Sequence, residues 1–139
     1  MGVNLKHQFF AAQIARRSMR EIGGGSIVNF SSTAWMMGMA RLSAYAAAKA
    51  GVIGLTNSLA REFGPDNIRV NAIAPGATMS DRVRNMMTSD KAIAAMERQH
   101  LLGLGQPEDV AHVALFLASD EARIVTGVIV PADSGWTAA

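Results

Sequence analysis

Apolar residues recur along this chain at two periods, and the change from one to the other marks out its elements. Leu5, Phe9, Ala12 and Met19 fall on one side of a helix predicted over residues 4–22. Gly23, Gly24 and Gly25 stop it, because glycine enters left-handed backbone without a Cβ clash. "SIVNFSS" (26–32) is short and rich in β-formers, which predicts a buried strand. Helical spacing then returns. Val52, Leu55, Leu59 and Phe63 form the apolar stripe of a helix over residues 43–63, whose first turns are rich in alanine, the best helix former. Gly64 and Pro65 end it, "IRVNAIA" (68–74) reads as the next strand, and Pro75 and Gly76 break that strand sharply. Residues 77–105 are rich in methionine and helical in part. Pro107 suits the first position of a further helix, with Glu108 and Asp109 at its positive end and Val110, Val113, Ala114 and Leu117 facing inward. "TGVIVPADSG" (126–135) closes the chain as a short strand and turn.

Alternation of helix and strand predicts the α/β class, a parallel sheet covered by helices. In such sheets ligands gather beyond the carboxyl ends of the strands. That rule draws Ser31, Ser32, Ala74, Pro75 and the helix start at Tyr45 to one edge of the sheet.

Composition narrows the functional classes. The 139 residues suit one domain, and 50% hydrophobic with 17% charged residues leave ample material for a core. No apolar run is long enough to span a bilayer, and Lys6, His7 and Gln8 interrupt the first one. A cytoplasmic protein without membrane contact is the expectation. There is no cysteine, so disulfides and thiolate metal sites are excluded, and His7, His100 and His112 are too scattered to predict a metal centre. A net charge of +2 without a basic, aromatic-laced block gives no support to a nucleic-acid partner.

Candidate chemistry begins in "SAYAAAKAG" (43–51), which places a phenol, Tyr45, four residues before an ammonium, Lys49. Residues so spaced share one helix face. Alone, the pair is equally a tyrosine tip and a lysine stem lying along a packed helix. A free phenol is a poor base at neutral pH, and a nearby ammonium favours phenolate. Such a pair can therefore exchange a proton with a reacting oxygen. A serine hydroxyl at a strand end could donate to that oxygen; Ser31 and Ser32 both qualify by position.

Together, "SIVNFSS", "SAYAAAK", "NAIAPG", "LGQPEDVA" and "PADSG" resemble the second half of a short-chain dehydrogenase/reductase over nearly the whole chain. The resemblance implies a fold: the C-terminal half of a Rossmann-like, doubly wound parallel sheet, three strands flanked by helices, lacking the N-terminal βαβ half. Residues 1–139 would form one partial NAD(P)-binding domain. It also implies an oxidoreductase that interconverts a secondary alcohol and a ketone with NAD or NADP. Ser32 lies thirteen residues before Tyr45 and Asn4 twenty-eight before Ser32, the family's register, which selects Ser32 over Ser31. Asn4, Ser32, Tyr45 and Lys49 are then the expected catalytic group, although Asn4 is locally just as suited to capping the first helix. Tyr45 and Lys49 would also contact the cofactor. Pro75, Gly76, Thr78 and Ser80 correspond to a nicotinamide-contacting turn, Trp35, Met36, Met37 and Met39 would line the substrate pocket, and residues 81–104 would cover it.

Two departures accompany the resemblance. No strand followed by a glycine-rich, pyrophosphate-binding turn precedes the matched region, which predicts a fragment or one half of a split enzyme. An arginine that the family commonly carries is also absent at "LLGLG" (101–105). The expected partners are a small alcohol or ketone and a second copy of the chain, as dimer or tetramer, or the missing half. The alternative is a catalytically silent module for oligomerisation.

Overall fold

The computed structural model describes residues 1–87 and 89–138. Its centre is a three-stranded parallel sheet of β1 (Gly25–Phe30), β2 (Ile68–Pro75) and β3 (Ile129–Ala132), in that spatial order. Gly25 to Phe30 pair in register with Ile68 to Ile73, and Ala72 to Pro75 with Ile129 to Ala132. Parallel strands need crossovers, and helices supply both. The helix α1 (His7–Glu21) precedes β1, and α2 (Ser43–Phe63) joins β1 to β2. Three helices, α3 (Asp81–Met86), α4 (Asp90–Glu97) and α5 (Pro107–Ala118), lie between β2 and β3. This is the expected α/β architecture.

Strand alternation sorts the helices onto two faces. Ile27 and Val70 pack with Ala12 of α1 and with Leu59, Ala60 and Phe63 of α2. The intervening side chains point the other way: Ser26 Oγ and Arg69 Nη1 both donate to the Leu117 carbonyl of α5, at 2.8 and 2.6 Å. Covered on both faces and paired on both edges, β2 is the most buried strand. By contrast, β1 pairs with β2 alone among the described residues.

Helix ends follow the local chemistry. Gly23, at φ +87°, and Gly24 donate their N–H groups to Arg20 and Met19 carbonyls at 3.2 and 2.8 Å, the paired bonds of a Schellman stop. Ahead of α1, residues Gly2–Lys6 form a π-helical turn whose Lys6 N–H reaches the Met1 carbonyl at 3.3 Å. Asn4 lies inside that turn and does not cap the helix. Of the side that carries Leu5, Phe9, Ala12 and Met19, Ala12 is buried in the core and Met19 packs against it, while Phe9 is 40% exposed. Among the described residues, no helix is long and apolar enough to cross a membrane.

Candidate active site

At the carboxyl ends of β1 and β2 the backbone opens into two adjoining cavities of about 230 and 700 Å³. Ser32, Tyr45 and Gly76 stand in the walls of both. A further cavity, of about 380 Å³, runs along the open edge of β1 beside α1; Lys49 lines this one and neither of the other two.

The two adjacent serines take different duties. Ser31 is buried and its hydroxyl donates to the Lys49 carbonyl at 2.8 Å, tying the strand end to α2. Ser32 has extended backbone, and its Oγ accepts the Ala34 N–H at 3.2 Å. That bond leaves the Ser32 hydroxyl proton available for donation into the cavity. Both serines border the larger cleft, but only Ser32 borders the smaller one.

Tyr45 is half-buried in the first turn of α2, and Lys49 follows one turn on. The Lys49 ammonium lies 5.7 Å from the centroid of the Tyr45 ring, within cation–π range. Lys49 is buried and donates to the Phe30 carbonyl at 2.8 Å. Loss of hydration disfavours its charged form, so burial holds the Lys49 amine below its ordinary value.

Asn4 stands apart, lining neither cavity at the strand ends. Its link is through the backbone. The Asn4 carbonyl accepts from Gln8 Nε2 at 3.0 Å, and the same amide donates to the Phe30 carbonyl at 3.3 Å. Gln8 Oε1 in turn accepts the Phe30 N–H at 3.0 Å. Gln8 thus grips the peptide that also holds Lys49. Sequence reading passed over it, although an amide set among the apolar residues of α1 is the kind of signal that finds a buried polar group.

The turn after β2 is fixed from several sides. Thr33 Oγ1 donates to the Pro75 carbonyl at 3.2 Å, and the Gly76 N–H to the Ala132 carbonyl at 3.0 Å. A Cβ on Gly76 would sit 2.8 Å from both Cα and Cβ of Asp133, so only glycine fits there without a shift. Thr78 bridges to Gly105, and Ser80 caps α3 by accepting the Val83 N–H at 3.5 Å. Thr78, Ser80 and Arg82 all line the larger cleft. The Thr78 hydroxyl donates to the Gly76 carbonyl at 3.4 Å, which leaves the Ser80 hydroxyl and the Arg82 guanidinium as donors suited to amide and phosphate oxygens.

The structure separates the four residues expected to line the substrate pocket. Of Trp35, Met36, Met37 and Met39, only Met39 lines the 230 Å³ cavity. The short helical turn Thr33–Trp35 directs Met36 and Met37 outward, where they are 39% and 41% exposed. The apolar wall comes from elsewhere: Met86 and Met87 at the end of α3, Met96 of α4, and Trp136. Trp136 packs against the His100 ring, 4.9 Å between centroids, and its backbone N–H donates to the Asp133 carbonyl at 3.0 Å. Burial works to raise the Asp133 carboxyl. The side chain and backbone of Thr137, the Gly135 N–H and nearby His100 outweigh that effect and hold it below its ordinary value.

A family model described as enoyl-(acyl carrier protein) reductase matches residues 1–137. The chain is 47% identical over 136 residues to the protein named "Probable galactose dehydrogenase GalD" of Rhizobium meliloti, covering 97% of this chain and 53% of that one. It is 46% identical over 134 residues to a 3alpha-hydroxysteroid dehydrogenase of Mediterraneibacter gnavus, covering 96% and 53%. A crystal structure from Agrobacterium tumefaciens, provisionally identified as a 2-deoxy-d-gluconate 3-dehydrogenase and holding NADP, superimposes with a TM-score of 0.93 at 38% identity. The match covers 100% of this chain and 57% of that one. The chain thus spans about half the length of the curated relatives it matches.

Proposed function

The chain belongs to the short-chain dehydrogenase/reductase family, and on that footing we propose that it carries the catalytic half of an NAD(P)-dependent oxidoreductase. The reaction interconverts a secondary alcohol and a ketone. The observation that carries this reading is the shared cavity wall: Ser32 and Tyr45 border one pocket, and the Lys49 ammonium lies beneath the Tyr45 ring.

In the oxidative direction Tyr45 takes the proton of the substrate hydroxyl, and in reduction it returns that proton to the carbonyl oxygen. Lys49 holds its ammonium 5.7 Å from the Tyr45 ring centroid, where it stabilises negative charge developing on the phenol oxygen during proton transfer. Ser32, its Oγ already fixed by Ala34, donates to the reacting oxygen and sets its position. Asn4, which lines neither cavity, is assigned to the proton path by its family register alone, as the holder of a relay water. A bound nicotinamide supplies the hydride chemistry. Pro75, Gly76, Thr78 and Ser80, with Tyr45 and Lys49, would hold that end of NAD or NADP, and the hydroxyl and guanidinium donors of the larger cleft fit such a ligand.

Residues 1–139 form a single partial domain on this reading. Its assembly into a homo-oligomer is supported by Phe10 and Ile14 of α1, which are 50% and 71% exposed. Pairing with a complementary half is supported by β1, whose edge away from β2 borders the 380 Å³ cavity.

Tyr45→Phe tests the proposal. It removes one hydroxyl and leaves the ring packing in place. Turnover of alcohols or ketones with NAD or NADP is measured on the chain alone and fused behind the first half of the Rhizobium meliloti relative. A drop of roughly 10²–10⁴-fold with unchanged circular dichroism is expected. Equal turnover by Tyr45→Phe, or no turnover by either form, would refute it.

A further inference from the structure

Resting on that reading, we infer that the substrate carries a compact apolar body, a single alicyclic ring or short branched chain beside its hydroxyl or ketone, and not a polyhydroxylated sugar. The wall facing Ser32 and Tyr45 is built by Met39, Met86, Met87, Met96, Val83 and Trp136. Among the described residues that line this cavity none bears a charge and none bears an amide. Its polar side-chain groups are three hydroxyls and the Trp136 indole N–H, a single donor on an otherwise apolar ring. The hydroxyls of Ser32 and Tyr45 belong to the reacting end, and the Thr33 hydroxyl donates to the Pro75 carbonyl at 3.2 Å. A sugar held here would bury several further hydroxyls against sulfur and hydrocarbon. Each one left without a partner weakens binding by roughly tenfold or more.

Volume and mobility of the wall agree with an apolar body. At about 230 Å³ the cavity exceeds the roughly 150 Å³ in which an apolar protein cavity accepts benzene. Four of the six wall residues are methionines, unbranched and polarisable, drawn from the loop after β1, from the end of α3 and the residue beyond it, and from α4. Such side chains reshape around ligands of differing outline. The Trp136 ring packs against His100, and its backbone N–H donates to the Asp133 carbonyl. The two relatives named for a sugar and a steroid are almost equally similar to the chain, so similarity does not select between these classes.

The test reads binding and not turnover. Trp136 fluorescence is followed in the chain carrying Trp35→Phe, which leaves Trp136 as the reporter, during titration with cyclohexanone and with D-galactose. Cyclohexanone is expected to give a saturable change, and galactose at equal concentration none. Met96→Gln is expected to weaken cyclohexanone binding about tenfold. Met86→Gln, at a position already 70% exposed, provides a second variant that leaves the fold intact and is expected to weaken binding in the same direction. Galactose binding as tightly as cyclohexanone, no saturable cyclohexanone binding, or indifference to both substitutions would each overturn the inference. Loss of the Tyr45 effect on turnover would instead remove the catalytic reading and leave these binding results standing.

Discussion

Gln8→Leu is the perturbation that the fold makes most informative. The wild-type amide forms three hydrogen bonds: to the Asn4 carbonyl at 3.0 Å, to the Phe30 carbonyl at 3.3 Å, and from the Phe30 N–H at 3.0 Å. At roughly 1 kcal/mol net apiece the upper limit for their loss is about 3 kcal/mol. Two features lower it. The Phe30 peptide borders the 380 Å³ cavity, so water can replace part of what the amide supplied. Leucine also returns some apolar contact near Ala12. A destabilisation of about 1–2 kcal/mol remains. With a urea m-value of about 2 kcal/mol/M, the midpoint falls by about 0.5–1 M at unchanged m. A second readout follows from Lys49, which lines the same cavity. Water admitted beside it relieves the burial that holds its amine low, so its titration, followed by NMR of the side-chain ε carbon, is expected to move upward. An unmoved midpoint together with an unmoved Lys49 titration would refute the claim that Gln8 secures this peptide.

Two other predictions concern the turn after β2 and the C-terminal turn against it. Gly76→Ala places a methyl 2.8 Å from Asp133 backbone and side chain. Overpacking of this kind costs about 1–3 kcal/mol, and calorimetry should show the Tm lowered by about 3–10 °C; an unchanged Tm would contradict the packing. Asp133 has a folded-state carboxyl below its ordinary value of 3.8. Its contribution to stability is therefore present above that value and disappears as the pH falls from it through the lower folded-state value. Urea midpoints of wild type and Asp133→Asn should differ at neutral pH and converge in that acidic window. A constant gap down to the lowest pH would mean that hydrogen bonding by the neutral side chain, and not charge, secures the turn.

Elements with one strong periodicity were legible in the sequence. The helix at residues 43–63 was predicted with the limits that α2 has, because its stripe, its alanines and its Gly64–Pro65 stop all agree. The helix start at Pro107 and the stop at Gly23 followed from single residues with one dominant conformational effect. Ser32 and Tyr45 meet at one cavity because strand ends and helix starts in a parallel sheet share an edge. What stayed hidden depends on the direction of side chains in irregular backbone. "AWMMGM" (34–39) holds only apolar side chains and a glycine, so it carries no period to tell the inward Met39 from the outward Met36 and Met37. Trp136 reaches the cavity from the last turn, a long-range contact with no local signature. Gln8 likewise gains its meaning only once α1 lies against the end of β1.

That strand end explains why α1 matters to a cleft it does not line. Ser31, and not Phe30, donates to the Ile73 carbonyl across the sheet, at 2.8 Å, so the Phe30 peptide faces the open edge of β1. Backbone groups on such an edge need partners from outside the ladder. Here α1 satisfies both of them through Gln8, and α2 adds Lys49 to the carbonyl. Among the described residues no carboxylate pairs with Lys49. A carboxylate would favour the ammonium more strongly than a carbonyl does, but it would also cancel the field reaching Tyr45. A neutral carbonyl fixes the cation and leaves its charge unopposed beneath the phenol ring. On the proposed chemistry, the peptide that closes the strand edge is therefore also what keeps Lys49 useful to Tyr45, and the first helix acts on the proton transfer by holding that peptide still.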